Sequence, residues 1–195
     1  MDRLETLGRE ARDRGIPVMK QDGIAFLKDL LKAHAEVQSV LEVGTAVGYS
    51  SMEMASVRPD IRIDTIEIDP ARAEEARRNI RACGCADRIY VHVCDAADYV
   101  TMAYYDLIFI DAAKSQYSRY TEHFYECSHP GTLFVYDNLN FHGIVDDPQL
   151  SHNRSTLQMT RKIQKFRERL LQDPRFRTEF HAEIGDGVAV AERIA

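Results

Sequence analysis

The sequence predicts an α/β fold: a seven-stranded, mostly parallel sheet with helices on both faces and an antiparallel hairpin at its C-terminal end. Two observations predict it. Short apolar runs alternate with amphipathic helical stretches along the whole chain. The runs also have apolar cores, such as Leu107-Ile108-Phe109-Ile110, which suit strands covered on both faces. The chain has 195 residues and no repeat, linker or low-complexity tract, so one domain, 1–195, is expected.

Taken in order, residues 3–14 and 21–34 carry helical spacing. Strands are expected at Val37–Gly44, Ile61–Asp69, Ile89–Cys94, Tyr105–Asp111 and Gly131–Asp137. Asp69-Pro70 supplies a cap and a first-turn proline for a helix to about Cys83, where Gly84 can end it in a left-handed conformation. A second helix is expected at about Ser115–Cys127. A third spans about Ser155–Leu171, with Leu157, Ile163, Phe166 and Leu170 on one face. Two last runs, Arg177–Ile184 and Gly187–Glu192, flank Gly185-Asp186 and read as a hairpin closing one edge.

Composition narrows the function. With 25 basic and 31 acidic residues the net charge is -6, which argues against a broadly basic, nucleic-acid-coating surface. The first ten residues are charged where a secretory signal would be apolar, and no apolar run approaches the ~20 residues of a membrane span. A cytoplasmic protein without membrane attachment is expected. Cys83, Cys85, Cys94 and Cys127 form no zinc spacing, and Cys83 and Cys85 are awkwardly close for a disulfide, so reduced thiols are expected.

The chemistry-bearing residues gather at strand ends. After the first strand comes Glu42-Val43-Gly44-Thr45-Ala46-Val47-Gly48-Tyr49-Ser50, where Gly44 and Gly48 allow a tight turn before a helix. The spacing is Gly-x-x-x-Gly, not the dinucleotide Gly-x-Gly-x-x-Gly, and Glu42 would repel a pyrophosphate. The second strand ends at Glu67, which can accept hydrogen bonds from ribose hydroxyls, and the third at Asp95-Ala96, which can meet an adenine edge. Any one such acid is commonly a helix cap. Three at successive strand tips favour a nucleoside-bearing ligand in the crevice outside the sheet.

The fourth strand runs into Asp111-Ala112-Ala113-Lys114 and the fifth into Asp137-Asn138. If these strands are neighbours, two carboxylates and an amide oxygen converge as hard ligands, a set suited to Mg²⁺ or another divalent cation. Carboxylates at strand ends also serve as caps or ion-pair partners. Lys114 tilts the balance, because a lysine held near a cation is favoured in its neutral, basic form.

Leu41–Ser51, Thr65–Pro70, Asp106–Tyr117 and Asp137–Gly143 resemble the catechol and caffeoyl-CoA O-methyltransferase family over nearly the whole chain. The resemblance implies a Rossmann-like class I methyltransferase fold, S-adenosyl-L-methionine as donor, a divalent cation and a homodimer. It implies that Val18, Glu42, Gly44, Ser50, Glu67, Asp95, Ala96 and Asp111 contact the donor. Asp111, Asp137 and Asn138 would ligate the metal, with Lys114 as base. Within the family, Gly15–Met19, Asp106–Tyr117, Asp137–Val145 and Ile184–Ala189 most resemble bacterial tRNA 5-hydroxyuridine methyltransferases, which implies a wobble-position 5-hydroxyuridine in tRNA as acceptor.

Two acceptor classes stay open. Arg161, Lys165 and Arg169 recur every four residues as one stripe that can meet phosphates, although such a stripe is also an ordinary solvated helix face. Tyr136, Phe141 and His142 can stack on a flipped base or wall a pocket for a small catechol-like ring. A different class, a nicotinamide-dependent oxidoreductase or nucleotide-binding regulator, would use Glu67 on the NAD ribose but lacks the pyrophosphate fingerprint.

Overall fold

A computed structural model describes residues 3–195. Helices α1 (Arg3–Asp13), α2 (Gln21–Ala33), α3 (Tyr49–Ala55), α4 (Pro70–Ala82), α5 (Tyr117–Tyr125) and α6 (Arg154–Gln172) are interleaved with seven strands. These are β1 (Ser39–Val43), β2 (Arg62–Glu67), β3 (Ile89–Val93), β4 (Tyr105–Ile110), β5 (Ser128–Tyr136), β6 (Phe176–His181) and β7 (Val188–Arg193). The strand order is β3-β2-β1-β4-β5-β7-β6. Where the length predicts one domain, the chain clusters into two compact units, residues 1–101 and 102–195. Among the described residues no helix is long and apolar enough to cross a membrane, and all four cysteines are free thiols.

In the first unit β1, β2 and β3 are parallel, with Val43 opposite Ile66 and Glu67 opposite Val93, so the strands end level with one another. Their apolar side chains are fully buried at Val40, Leu41 and Ile63, as are Met52 of α3 and Ala73 and Ala76 of α4. Helix α4 shows why sequence signals place it well. Asp69 caps it by accepting from the Ala71 and Arg72 amides. At its other end Gly84, at φ 70°, lets the Cys85 amide reach the Ile80 carbonyl and its own amide reach Arg81, the paired bonds that close a helix.

In the second unit β4 and β5 are parallel, and β5, β7 and β6 follow antiparallel. Strand β5 begins three residues before Gly131. An irregularity between the Tyr105–Ser128 and Leu107–Leu133 pairs absorbs Pro130 and Gly131, the latter at φ 95°. The last hairpin also departs from expectation. Its strands stop at His181 and resume at Val188, so the connection is residues 182–187 rather than a two-residue turn.

Helix α6 is held by Thr160, Ile163, Phe166 and Leu170, all buried. Phe166 stands edge-on to Tyr117 at 5.5 Å and Tyr136 at 5.1 Å. Burying one such ring contributes roughly 1.5–3 kcal/mol. The opposite face carries Arg161, Lys165 and Arg169 into solvent, as the four-residue spacing predicts.

Candidate active site

The parallel register of β4 and β5 builds the chemical centre of the second unit. Ile110 lies opposite Tyr136, so the next residues, Asp111 and Asp137, leave the sheet side by side. Asp111 and Lys114 are both partly buried, and the lysine Nζ stands 3.2 Å from Asp111 Oδ1. Asn138 Nδ2 donates to the same oxygen at 3.4 Å. Four groups expected from sequence to act together are therefore gathered here.

Asp137 is only 2% exposed. Burial first, then the neighbouring Asp111 charge, push its carboxyl up to about 7, with Lys114 working in the opposite direction. Two carboxylates so close, one of them desolvated, create a demand for positive charge that a single partly buried lysine meets only in part. Among the described residues no three His, Cys, Asp or Glu side chains form a metal-holding group, so a third protein oxygen must come from an amide. Asn138 supplies it: half a turn of its side-chain amide presents oxygen where nitrogen now points. Its backbone sits at φ 62°, and its amide N–H is tied to Asp137 Oδ1 at 2.7 Å. The residues fit a small, hard divalent cation.

Tyr117 is a support that sequence reasoning missed. Its hydroxyl donates to the Asp137 carbonyl at 2.8 Å, and its buried ring lies 5.9 Å beneath the Lys114 ammonium. Burial, then the Asp111 and Asp137 charges, hold its phenol well above the ordinary range, so it stays a neutral donor. Tyr136 corrects an expectation. It is fully buried, with its hydroxyl paired to Thr121 at 2.9 Å, and cannot stack on an acceptor. Phe141 is half-buried and His142 exposed.

In the first unit the expected donor-binding residues lie at the level ends of β1–β3. Gly44 has φ 107° and Ala46 φ 48°, so the β1–α3 turn is left-handed twice before Gly48, at φ 81°, opens α3. Glu67 ties this turn to the next: its carboxylate accepts from the Ala46 amide at 2.8 Å and the Asp69 amide at 3.0 Å. Two of its four acceptor positions are thereby used, which leaves two for ligand hydroxyls. Asp95 accepts from the Ala97 amide at 2.9 Å and heads a single 3₁₀ turn, with Ala96 buried behind it.

Glu42 is placed differently from the sequence picture of an acid facing ligand. It is fully buried, and the hydroxyls of Ser50, Ser51 and Thr65 all donate to its carboxylate. Held by these three hydroxyls, it orders the turn and the start of α3. Val18 is half-buried just before α2. A cavity of roughly 330 Å³ between α1, α2 and α3 includes none of the donor residues, and its lysines are paired: Lys28 to Glu53 and Lys32 to Asp29, each at 2.7 Å.

These features agree with what the chain is similar to. A family profile described as O-methyltransferase matches residues 3–194. A catechol O-methyltransferase of Niastella koreensis is 35% identical over 60% of this chain and 57% of its own length. The matched segments span 46 to 63% of the first such relatives. A crystal structure from Staphylococcus aureus, provisionally assigned as a caffeoyl-CoA O-methyltransferase, superposes with TM-score 0.93 at 31% identity, covering 99% of this chain and 93% of that one. The Bacillus cereus O-methyltransferase, solved in complex with S-adenosylhomocysteine, superposes with TM-score 0.81 at 26% identity, over 97% of this chain and 90% of that one. The chain belongs to the O-methyltransferase family.

Proposed function

We propose that this chain is an O-methyltransferase that uses S-adenosyl-L-methionine and a divalent cation, Mg²⁺ being the natural choice for its oxygen ligands. The observation that carries the reading is the buried Asp137 beside Asp111 and Asn138, with Lys114 3.2 Å from Asp111. Asp111, Asp137 and Asn138 would hold the cation. When bound, such an ion lowers the pKa of a chelated hydroxyl. Glu67 would receive the ribose hydroxyls of the donor and Asp95–Ala96 its adenine edge. Gly44 and Ser50 would shape the turn against its amino-acid part, with Val18 nearby, while Glu42 keeps that turn rigid.

Lys114 would take the proton from the acceptor hydroxyl. Asp111 Oδ1 is its partner now, and engaging that oxygen elsewhere releases the amine to act as base. The acceptor oxygen then forms its bond to the methyl carbon as the sulfur–methyl bond breaks. The electron pair of that bond stays on sulfur, giving S-adenosylhomocysteine.

For the acceptor we favour 5-hydroxyuridine in tRNA. Its 5-hydroxyl and 4-carbonyl oxygens chelate as a catechol does, and the exposed Arg161, Lys165 and Arg169 offer phosphates a row of cations. A small catechol is the second reading, favoured by the 35% identity to the Niastella koreensis enzyme. Incubation with methyl-labelled donor, Mg²⁺ and either hydroxyuridine-containing tRNA or a catechol panel tests both. Label in the tRNA nucleoside is expected. Label confined to catechols establishes the second reading, and label in neither overturns the proposal.

A further inference from the structure

Four non-glycine residues adopt left-handed backbone among those described, and three of them, Asn138, Phe141 and His142, fall in the loop after β5, followed by Gly143 at φ 79°. Side chains with a Cβ enter this region at a cost, so a loop holding three of them is imposed by its surroundings. The imposing element is the β6–β7 connection. Leu139 N donates to the Gly187 carbonyl at 2.8 Å and Asn140 N to the Asp186 carbonyl at 2.7 Å. Gly187 permits this approach, because a Cβ there would stand 2.8 Å from Asn140 N. At the far end Arg167 pairs with Asp146 while lying 4.8 Å over the Phe180 ring.

The side chain that touches this loop most directly is Asp186, itself 7% exposed. Its Oδ1 accepts from the His142 amide at 2.6 Å, and its Oδ2 lies 3.3 Å from His142 Nδ1. The imidazole is otherwise 66% exposed. The Asp186 carboxylate thus fixes the His142 backbone through its amide and lies beside the ring on its Nδ1 side, which leaves the rest of the imidazole open to a ligand. A histidine oriented in this way, four residues beyond Asn138, has no task in proton removal or cation binding.

We propose that His142, positioned by Asp186, is a specificity-determining residue that accepts a hydrogen bond from the acceptor ring and selects a 5-hydroxypyrimidine over a catechol. This rests on the methyl-transfer reading above. A pyrimidine dione carries an imide N–H next to its chelating 4-carbonyl, a donor that an imidazole nitrogen can pair with. A catechol has no polar donor beyond the two oxygens that chelate. Asp186 acts through His142 and is a positioning residue.

The test compares wild type with His142→Ala, Asp186→Ala and Asp186→Asn, using hydroxyuridine-containing tRNA and catechol as alternative acceptors. His142→Ala is expected to raise KM for the tRNA about tenfold, as for loss of one hydrogen bond, with kcat and the catechol KM changing less than about twofold. Asp186→Ala is expected to reproduce that pattern. Asp186→Asn keeps an oxygen for the His142 amide and is expected to recover part of the loss. Calorimetry with S-adenosylhomocysteine and with Mn²⁺ is expected to give wild-type affinities in all three variants. An unchanged tRNA KM in His142→Ala overturns the inference, as does an equal rise for both acceptors. Lost Mn²⁺ or S-adenosylhomocysteine binding in that variant also overturns it, by making the residue structural. Failure of the wild type itself to methylate either acceptor removes the underlying reading and this inference with it.

Discussion

Replacing Lys114 with alanine is expected to lower the rate of methyl transfer by about 10²–10⁴-fold, the span of a positioned general base. Affinity for S-adenosyl-L-methionine should stay near the wild-type level, because Glu67 and Asp95, proposed to hold the ribose and adenine, lie at the ends of β2 and β3 and do not bond Lys114. The amine sits 3.2 Å from Asp111 on a partly buried edge, above the Tyr117 ring. Lys114→Arg separates charge from basicity: it preserves the pairing with Asp111 but cannot be deprotonated in the working range. Single-turnover kinetics should find Lys114→Arg as impaired as Lys114→Ala. Near-normal turnover in either variant removes lysine from the mechanism.

Asp137→Asn is expected to produce opposite effects on binding and on stability. Cation affinity, read by calorimetry with Mn²⁺, should fall by about 10–100-fold or more as one of two anionic ligands is lost. The cation-free variant should nevertheless melt at a higher temperature than wild type near pH 8. The sign follows from the direction of the shift. The folded-state carboxyl is pushed up to about 7, above its unfolded value. The folded protein then holds a proton that the unfolded chain has released, so stability falls as pH rises through that range. A neutral amide of the same shape has no such penalty. A variant that melts lower at pH 8 without cation would mean that Asp137 carries a structural role its burial does not reveal.

The sequence reading located Asp111, Lys114, Asp137 and Asn138 for a physical reason. They follow the apolar runs Leu107–Ile110 and Leu133–Tyr136, which pair in register, so the first polar residues after them must meet. The cap at Asp69 and the left-handed Gly84 were legible because both are local. The misplacements are tertiary. Glu42 reads as an acid in a ligand turn, yet Ser50, Ser51 and Thr65 close around it from α3 and β2. Tyr136 reads as available for stacking, yet the last residue of a central strand points into the packing of Tyr117 and Phe166. The segment Gly185-Asp186-Gly187 reads as a simple hairpin turn. Two glycines around one acid were the available sign of a constrained backbone, but only the fold shows that the constraint grips residues 139–142.

The same contrast explains where the molecule accepts strain. The buried Asp137 carboxyl beside the partly buried Asp111, and left-handed backbone at Asn138, Phe141 and His142, cluster within one loop and two strand ends. Elsewhere in the second unit the packing is conventional, with aromatic side chains and apolar strands fully buried. Local costs concentrated where ligands are proposed to bind are expected of a site whose geometry is imposed by the surrounding fold.

The most direct measurement is methyl transfer by protein first stripped with chelator and then titrated with Mg²⁺. Activity that falls to background and returns saturably with added cation, in wild type but not in Asp137→Asn, is the predicted result. Transfer that continues undiminished in excess chelator contradicts the assignment of Asp111, Asp137 and Asn138 as the ligands of a required cation.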